Sequence, residues 1–191
     1  GSNSMTVLRP ADSAETTVSW KLALENKTSP TALLLSRQNI TDLPASEGSR
    51  YEDALKTAQG AYIVADCQGA PDVILLASGS EVATLIGGAE LLRKDDIKIR
   101  IVSAPSEGLF RNQPVEYQLT VIPDGVPVFG LTAGLPVTLQ GLAGPLGKVY
   151  GVPGFGYSAP YKVLDEKFGF TSENVYRQVK EYLASFNQKQ G

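Results

Sequence analysis

The apolar run from Val73 to Ala77 carries no polar residue, the pattern of a strand buried on both faces of a sheet. Ser78-Gly79-Ser80 then supplies a tight turn and a helix N-cap, with Glu81 in the first turn, where the helix dipole favours an anion. Val82, Leu85, Ile86, Ala89 and Leu92 follow as an i, i+3, i+4, i+7 stripe, which predicts an amphipathic helix. Its interior Gly87-Gly88 costs about 1 kcal/mol per residue relative to alanine, a penalty that makes sense if the pair lets the helix approach the sheet closely. Lys98 to Val102 alternates and reads as a strand at or near an edge. Strand, turn, helix and strand together make a parallel βαβ unit.

The same pattern reading extends to both sides. Gly60 to Asp66 reads as a strand, joined to Asp72 by only Cys67-Gln68-Gly69-Ala70-Pro71. That link closes a hairpin but is too short for a parallel crossover, so the strand is expected to pair antiparallel with Asp72–Ala77. Further on come a short helix over Asn112–Ile122, a strand over Val126–Leu131 and a last strand over Lys148–Val152. A glycine-rich loop, Gly151 to Ser158, leads to a helix over Ala159–Lys167 that Gly169 stops. Thr171 caps the final helix, whose buried stripe is Val175, Val179, Tyr182, Leu183 and Phe186. The expectation is an α/β domain of about five strands, mostly parallel with one antiparallel, and helices on both faces.

The beginning of the chain reads differently. Thr6 to Leu8 is short and extended, and Asp12 with Glu15 three residues on opens a helix by a relative of the capping box. Ala14, Val18 and Leu22, with Trp20 and Leu24 beside them, give that helix two apolar edges up to about Asn26. Thr31 to Leu35 is another buried-type strand, ending in Ser36-Arg37-Gln38-Asn39. One helix and one strand do not bury a sheet face by themselves, so this piece has the look of the end of a neighbouring domain. Residues 41–60 turn polar and suit an interdomain linker with a short helix near Tyr51–Ala58. The expected division is 1–5 as a disordered start with an expression scar at Gly1-Ser2, 6–40 as the domain end, 41–59 as linker and 60–191 as the second domain.

Composition narrows the functional classes. A net charge of −3 and a pI near 5.1 give no pull toward nucleic acid or an anionic membrane. The single Cys67 excludes an internal disulfide and suits a reducing compartment. No apolar run reaches the length of a membrane span, so the chain is expected to be soluble. Histidine is absent, which removes Ser/His/Asp and Cys/His catalysis and the commonest metal ligand. A piece of a larger machine fits this better than a complete enzyme.

Each candidate for chemistry has a plainer reading beside it. Gly154-Phe155-Gly156-Tyr157-Ser158-Ala159 matches G-x-G-x-x-A, but no βαβ unit follows it, so a structural loop is the better reading. Ser78-Gly79-Ser80 could hold an anion, although any βα turn has that geometry. Asp12 and Glu15 read as a helix cap before they read as paired carboxylates. Cys67 has no neighbour that would lower its thiol pKa. Arg37, at the end of a buried strand, is aimed at the crevice where α/β sheets bind ligands. Its fork suits phosphate oxygens and equally suits an interdomain salt bridge.

Arg9-Pro10-Ala11-Asp12-Ser13-Ala14-Glu15 and Pro30-Thr31-Ala32-Leu33-Leu34-Leu35-Ser36-Arg37-Gln38-Asn39 resemble the end of the transketolase pyrimidine-binding domain. Gly60-Ala61-Tyr62-Ile63-Val64, Ala77-Ser78-Gly79-Ser80-Glu81-Val82 and Phe168-Gly169-Phe170-Thr171 resemble that family's C-terminal domain, in the same order. The resemblance runs from about Thr6 to Leu183 and implies a three-layer α/β/α domain with a mixed five-stranded sheet. It implies a cytoplasmic, homodimeric enzyme of the pentose phosphate pathway. That enzyme uses thiamine diphosphate and a divalent cation, magnesium or calcium, to move a two-carbon ketol unit between sugar phosphates. By the same resemblance Arg37, in Ser-Arg-Gln, binds the substrate phosphate. The diphosphate-binding domain, the activating glutamate and the substrate histidines belong upstream. This stretch is therefore expected to hold no catalytic, cofactor-binding or metal residue and to be inactive without the rest of the chain. Thr132 departs from the acidic residue often found there in the family. Deoxyxylulose-phosphate synthase and the thiamine subunits of 2-oxo acid dehydrogenases are the nearest alternatives, and Ser36-Arg37-Gln38 favours transketolase. A non-catalytic assembly or regulatory module is the reading from another class.

Overall fold

The structure is a computed structural model that describes residues 5–46 and 48–190; residues 1–4 of the expected disordered start lie outside it. Near the N-terminus, β1 (Thr6–Leu8) and β2 (Thr31–Leu33) pair in parallel, Thr6 opposite Thr31 and Leu8 opposite Leu33, with α1 (Ser13–Glu25) as the crossover. Asp12 caps α1, accepting from the Glu15 backbone N–H at 2.8 Å. The second strand stops at Leu33 instead of Leu35. Its partner gives out first: after Leu8 comes Arg9-Pro10, and proline has no N–H for the ladder. Within the stretch read as linker, α2 (Arg50–Ala54) begins at a capping box formed by Ser49 and Glu52 and runs into a 3-10 turn over Leu55–Gln59.

The second unit runs β3 (Tyr62–Ala65), β4 (Val73–Ala77), α3 (Glu81–Arg93), β5 (Ile99–Ser103), α4 (Glu107–Arg111) and α5 (Val115–Val121). It continues with β6 (Val128–Leu131), α6 (Val137–Ala143), β7 (Lys148–Tyr150), α7 (Tyr161–Phe168) and α8 (Ser172–Gln190). Its sheet has the order β3-β5-β4-β6-β7, and only the pair β3/β5 is antiparallel. This is the mixed, mostly parallel five-stranded sheet expected. Alternate residues of β4 feed two cores: Val73, Leu75 and Ala77 pack with α3 and α8, while Ile74 and Leu76 pack with Phe110, Val121 and Leu142 on the other face. Helices therefore cover both faces, and every residue of β4 is buried.

The expected hairpin does not form. β3 is antiparallel to its sheet, as the short link requires, but it pairs with β5, Tyr62 opposite Ser103 and Ile63 opposite Val102. The β4–α3–β5 crossover places β5 beside β4, and the link 66–72 is long enough to pass over β5, two strand spacings or about 10 Å. Gly87 and Gly88 face α8 and not the sheet: a Cβ on Gly88 would lie 2.4 Å from Val175 Cγ1. The helix expected over Asn112–Ile122 begins only at Val115 and is preceded by a separate α4. Pro114 accounts for the break, since it biases Gln113 away from helical geometry. α6 was not foreseen from the pattern, being set among Gly134, Pro136 and Gly141.

Segment 6–40 packs on this second unit. Leu8 and Ala11 are fully buried, and Ala11 and Leu43 join the α3/α8 core. Its other side is open, with Trp20, Leu24, Leu34 and Leu35 exposed.

Candidate functional site

The carboxyl ends of β4 and β5 meet segment 6–40, and two clusters of charge join them. The first is built on the β4–α3 turn. Gly79 has φ 67°, and a Cβ there would lie 2.6 Å from Arg9 Cζ. Arg9 donates from Nη1 to the Ser78 carbonyl and from Nη2 to both Glu81 carboxylate oxygens at 2.8 Å. Glu81, 3% exposed, also accepts from the Ala133 backbone N–H and from the Ser80 hydroxyl. The Arg9 main chain completes the junction, its N–H donating to Pro105 O at 2.8 Å and its carbonyl accepting from Gly79 N at 3.1 Å. The turn whose geometry could hold an anion thus holds a guanidinium, in keeping with its plainer reading as an ordinary βα turn. Ser80 makes no capping bond; the first turn of α3 is satisfied by charge instead.

The second cluster is buried. Asp12 and Glu15 are fully enclosed. Glu15 Oε1 accepts from Tyr62 OH at 2.6 Å, Ser103 Oγ at 2.8 Å and Arg50 Nη2 at 3.3 Å, and Oε2 accepts from Ala11 N at 2.8 Å. Asp12 Oδ2 accepts from Arg50 Nε at 2.6 Å and from Leu43 N at 3.1 Å. Tyr62 OH accepts from Arg50 Nη2 at 2.7 Å while it donates to Glu15. Burial pushes the Glu15 pKa up, and the bonds from Tyr62, Ala11 and Ser103 work against that. Burial is the largest single influence on Arg50 and opposes its charge, but the hydrogen bonds and charges of Asp12 and Tyr62 together outweigh it and raise the guanidinium pKa. The Tyr62 hydroxyl is held neutral, first by burial and then by the charge of Glu15. The pair read as a helix cap is therefore a cap and also the centre of an ionic network. No local signal announced it, because Arg50, Tyr62 and Ser103 come from positions 35, 47 and 88 residues away from Glu15.

Beside the first of these clusters, whose Glu81 accepts from Ala133, lies a cavity of about 410 Å³, lined among others by Gln38, Gly134, Tyr157, Tyr161, Asp165 and Phe170. Burial and the charge of Glu81 push the Asp165 pKa up. Gly154 and Gly156 of the G-x-G-x-x-A stretch line the same cavity, in a loop that leads into α7. Arg37 is exposed in the loop 34–43, next to Gln38 in the cavity wall, and has no ion-pair or hydrogen-bond partner among the described residues. The structure leaves it near the crevice but four residues past the end of β2. Cys67 is half-buried; its backbone N–H donates to Asp66 Oδ1 at 2.9 Å, and its thiol contacts Gly69 O at 3.8 Å.

A doubly wound α/β/α layer with one antiparallel edge strand, joined by ion pairs to a small parallel sheet, defines the class of protein. Residues 60–171 match the family described as the transketolase-like TK C-terminal domain, and the chain belongs to it. It is 41% identical over 181 residues to Transketolase 2 of Vibrio parahaemolyticus, covering 94% of this chain and 27% of that relative. Similarity to the transketolase of Staphylococcus aureus is 41% over 176 residues, covering 92% of this chain and 26% of the relative. Among solved structures, transketolase from Leishmania mexicana superposes with a TM-score of 0.84 at 37% identity, over 95% of this chain and 26% of that one. The chain thus spans about a quarter of the length of the relatives it matches.

Proposed function

We propose that the chain is the C-terminal portion of a transketolase, which transfers a two-carbon ketol unit between sugar phosphates in the pentose phosphate pathway. The observation that supports this most is similarity to transketolases across 94% of the chain at about 41% identity. In this reading residues 6–40 end the pyrimidine-binding domain, 41–59 link and 60–191 form the C-terminal domain. The whole protein is a cytoplasmic homodimer. No described helix is long and apolar enough to cross a membrane.

Thiamine diphosphate and a divalent cation would supply the carbanion chemistry of the whole enzyme. The residues of this chain do not fit them. Among the described residues no three His, Cys, Asp or Glu side chains are grouped to hold a metal, and the β4–α3 turn, whose geometry could hold an anion, is filled by Arg9. No chemical step on that cofactor is assigned to them. Their task is to bind and to hold: Arg37 grips the substrate phosphate, and the two ionic clusters hold its segment in place.

Calorimetric titration of thiamine diphosphate with magnesium, paired with a ketol-transfer assay, tests the reading. The full-length protein is expected to bind and turn over, and the 191-residue chain alone to do neither. Tight cofactor binding by the short chain, or a full-length protein without ketol transfer, would overturn it.

A further inference from the structure

Loop 34–43 carries Arg37 and contains no regular structure, yet both of its ends are tied to one place. At the near end Leu34 N donates to Leu8 O at 2.8 Å. At the far end Leu43 N donates to Asp12 Oδ2 at 3.1 Å, and Asp42 accepts from Ser13 Oγ at 2.6 Å. The loop is therefore anchored on the β1–α1 junction, residues 8–13. Inside it, Ser36 Oγ donates to Gln38 O at 3.0 Å and shapes the turn at Arg37.

That junction is in turn held by groups outside segment 6–40. Arg9 is locked into the β4–α3 turn by Glu81, and its main chain bonds to Gly79 and Pro105. Asp12 is held by Arg50, and its neighbour Glu15 by Tyr62 and Ser103. A guanidinium that reads phosphate through two parallel N–H bonds needs a fixed plane and position. We infer that the five-stranded domain, together with Arg50 of the stretch 41–59, acts as the template that sets Arg37, with Asp12 and Glu81 as the positioning residues. This rests on the phosphate-binding reading of Arg37. It gives the C-terminal domain a task in substrate binding although it contributes no catalytic group.

Asp12→Asn in the full-length protein is the direct test. Asparagine has one acceptor oxygen, so it can cap α1 or hold Leu43 and Arg50, but not both. KM for a ketose phosphate is expected to rise about 3- to 10-fold with kcat changed less than about twofold. KM for the same ketose without its phosphate should not change. In an Arg37→Ala background, Asp12→Asn should add nothing to either KM, and amide exchange over 34–43 should quicken in Asp12→Asn. Glu81→Gln keeps an acceptor for Ala133 but removes the charge facing Arg9, and should act in the same direction more weakly. It replaces Asp12→Asn, under the same criteria, if that variant fails to fold. Equal loss on both sugars, full additivity with Arg37→Ala, or unchanged exchange over 34–43 overturns the inference. If Arg37→Ala is itself indifferent to phosphate, the phosphate reading fails and the template loses its task, while exchange still reports whether Asp12 orders the loop.

Discussion

Arg50 is enclosed by Asp12, Glu15 and Tyr62, whereas Arg37 stands exposed without an acidic partner among the described residues. Surroundings divide their work, since residue type does not. Two buried carboxylates beside one guanidinium would repel each other without help. Here Ala11 N, Tyr62 OH and Ser103 Oγ donate to Glu15, and the Glu15 and Leu43 N–H groups donate to Asp12. A buried ionic group persists only when it is hydrogen-bonded in this way. Arg37 has no such cage, which leaves its fork free for a ligand. On the phosphate-binding role proposed for Arg37, the terminal phosphate lies away from the reacting carbons, so the grip would be uniform binding and appear in KM, not kcat. Charge-assisted bonds of roughly 1.5–3 kcal/mol correspond to an Arg37→Ala rise in KM for phosphorylated sugars of about 10- to 100-fold. Arg37→Lys should recover only part, having lost the two-pronged geometry. Steady-state kinetics with and without the phosphate check this; equal weakening of both sugars would mean that Arg37 joins domains.

At the scale of elements, α3 and α8 approach through glycine. A Cβ on Gly88 would meet Val175 Cγ1 and Cβ at 2.4 and 2.8 Å, and Val175 is β-branched and buried, with little freedom to turn away. One on Gly87 would meet chiefly the Ser172 hydroxyl, at 2.2 Å, which can rotate. Overpacking costs about 1–3 kcal/mol, against about 1 kcal/mol of helix propensity gained by alanine. Gly88→Ala is thus expected to destabilise by about 1 kcal/mol and Gly87→Ala to be neutral or stabilising. In a Val175→Ala background the Gly88→Ala cost should shrink, because the nearer obstructing atom, Cγ1, is gone while Cβ, at 2.8 Å, remains. Denaturant unfolding of the four variants decides it. The sequence reading found the need for a close approach at Gly87-Gly88 but named the wrong neighbour. A helix exposes its glycines to whatever packs there, and the partner helix lies more than 80 residues further along the chain.

For the whole molecule, segment 6–40 has no core of its own: Leu8 and Ala11 are buried against the rest, and the charges of Arg9, Asp12 and Glu15 are satisfied across the junction. The chain should therefore unfold in one transition. Arg50→Met, which strands two buried carboxylates, should cost about 3 kcal/mol and lower Tm by about 6–12 °C. A calorimetric trace with a separate early transition for 6–40 would contradict this. Much of the fold was legible in advance: the buried β4, the stripe of α3, the Thr171 cap and the antiparallel sense of β3 each follow from side chains within a few residues of one another. Periodicity, capping and link length act locally, and the sequence by itself determines them. Tertiary structure alone decided that β5 stands between β3 and β4, that Arg9 fills the βα turn, and that Arg50, from a stretch that reads as linker, neutralises the cap of α1. Those outcomes depend on which distant groups compete for the same space and the same charge, and that competition is settled only once the chain has closed on itself.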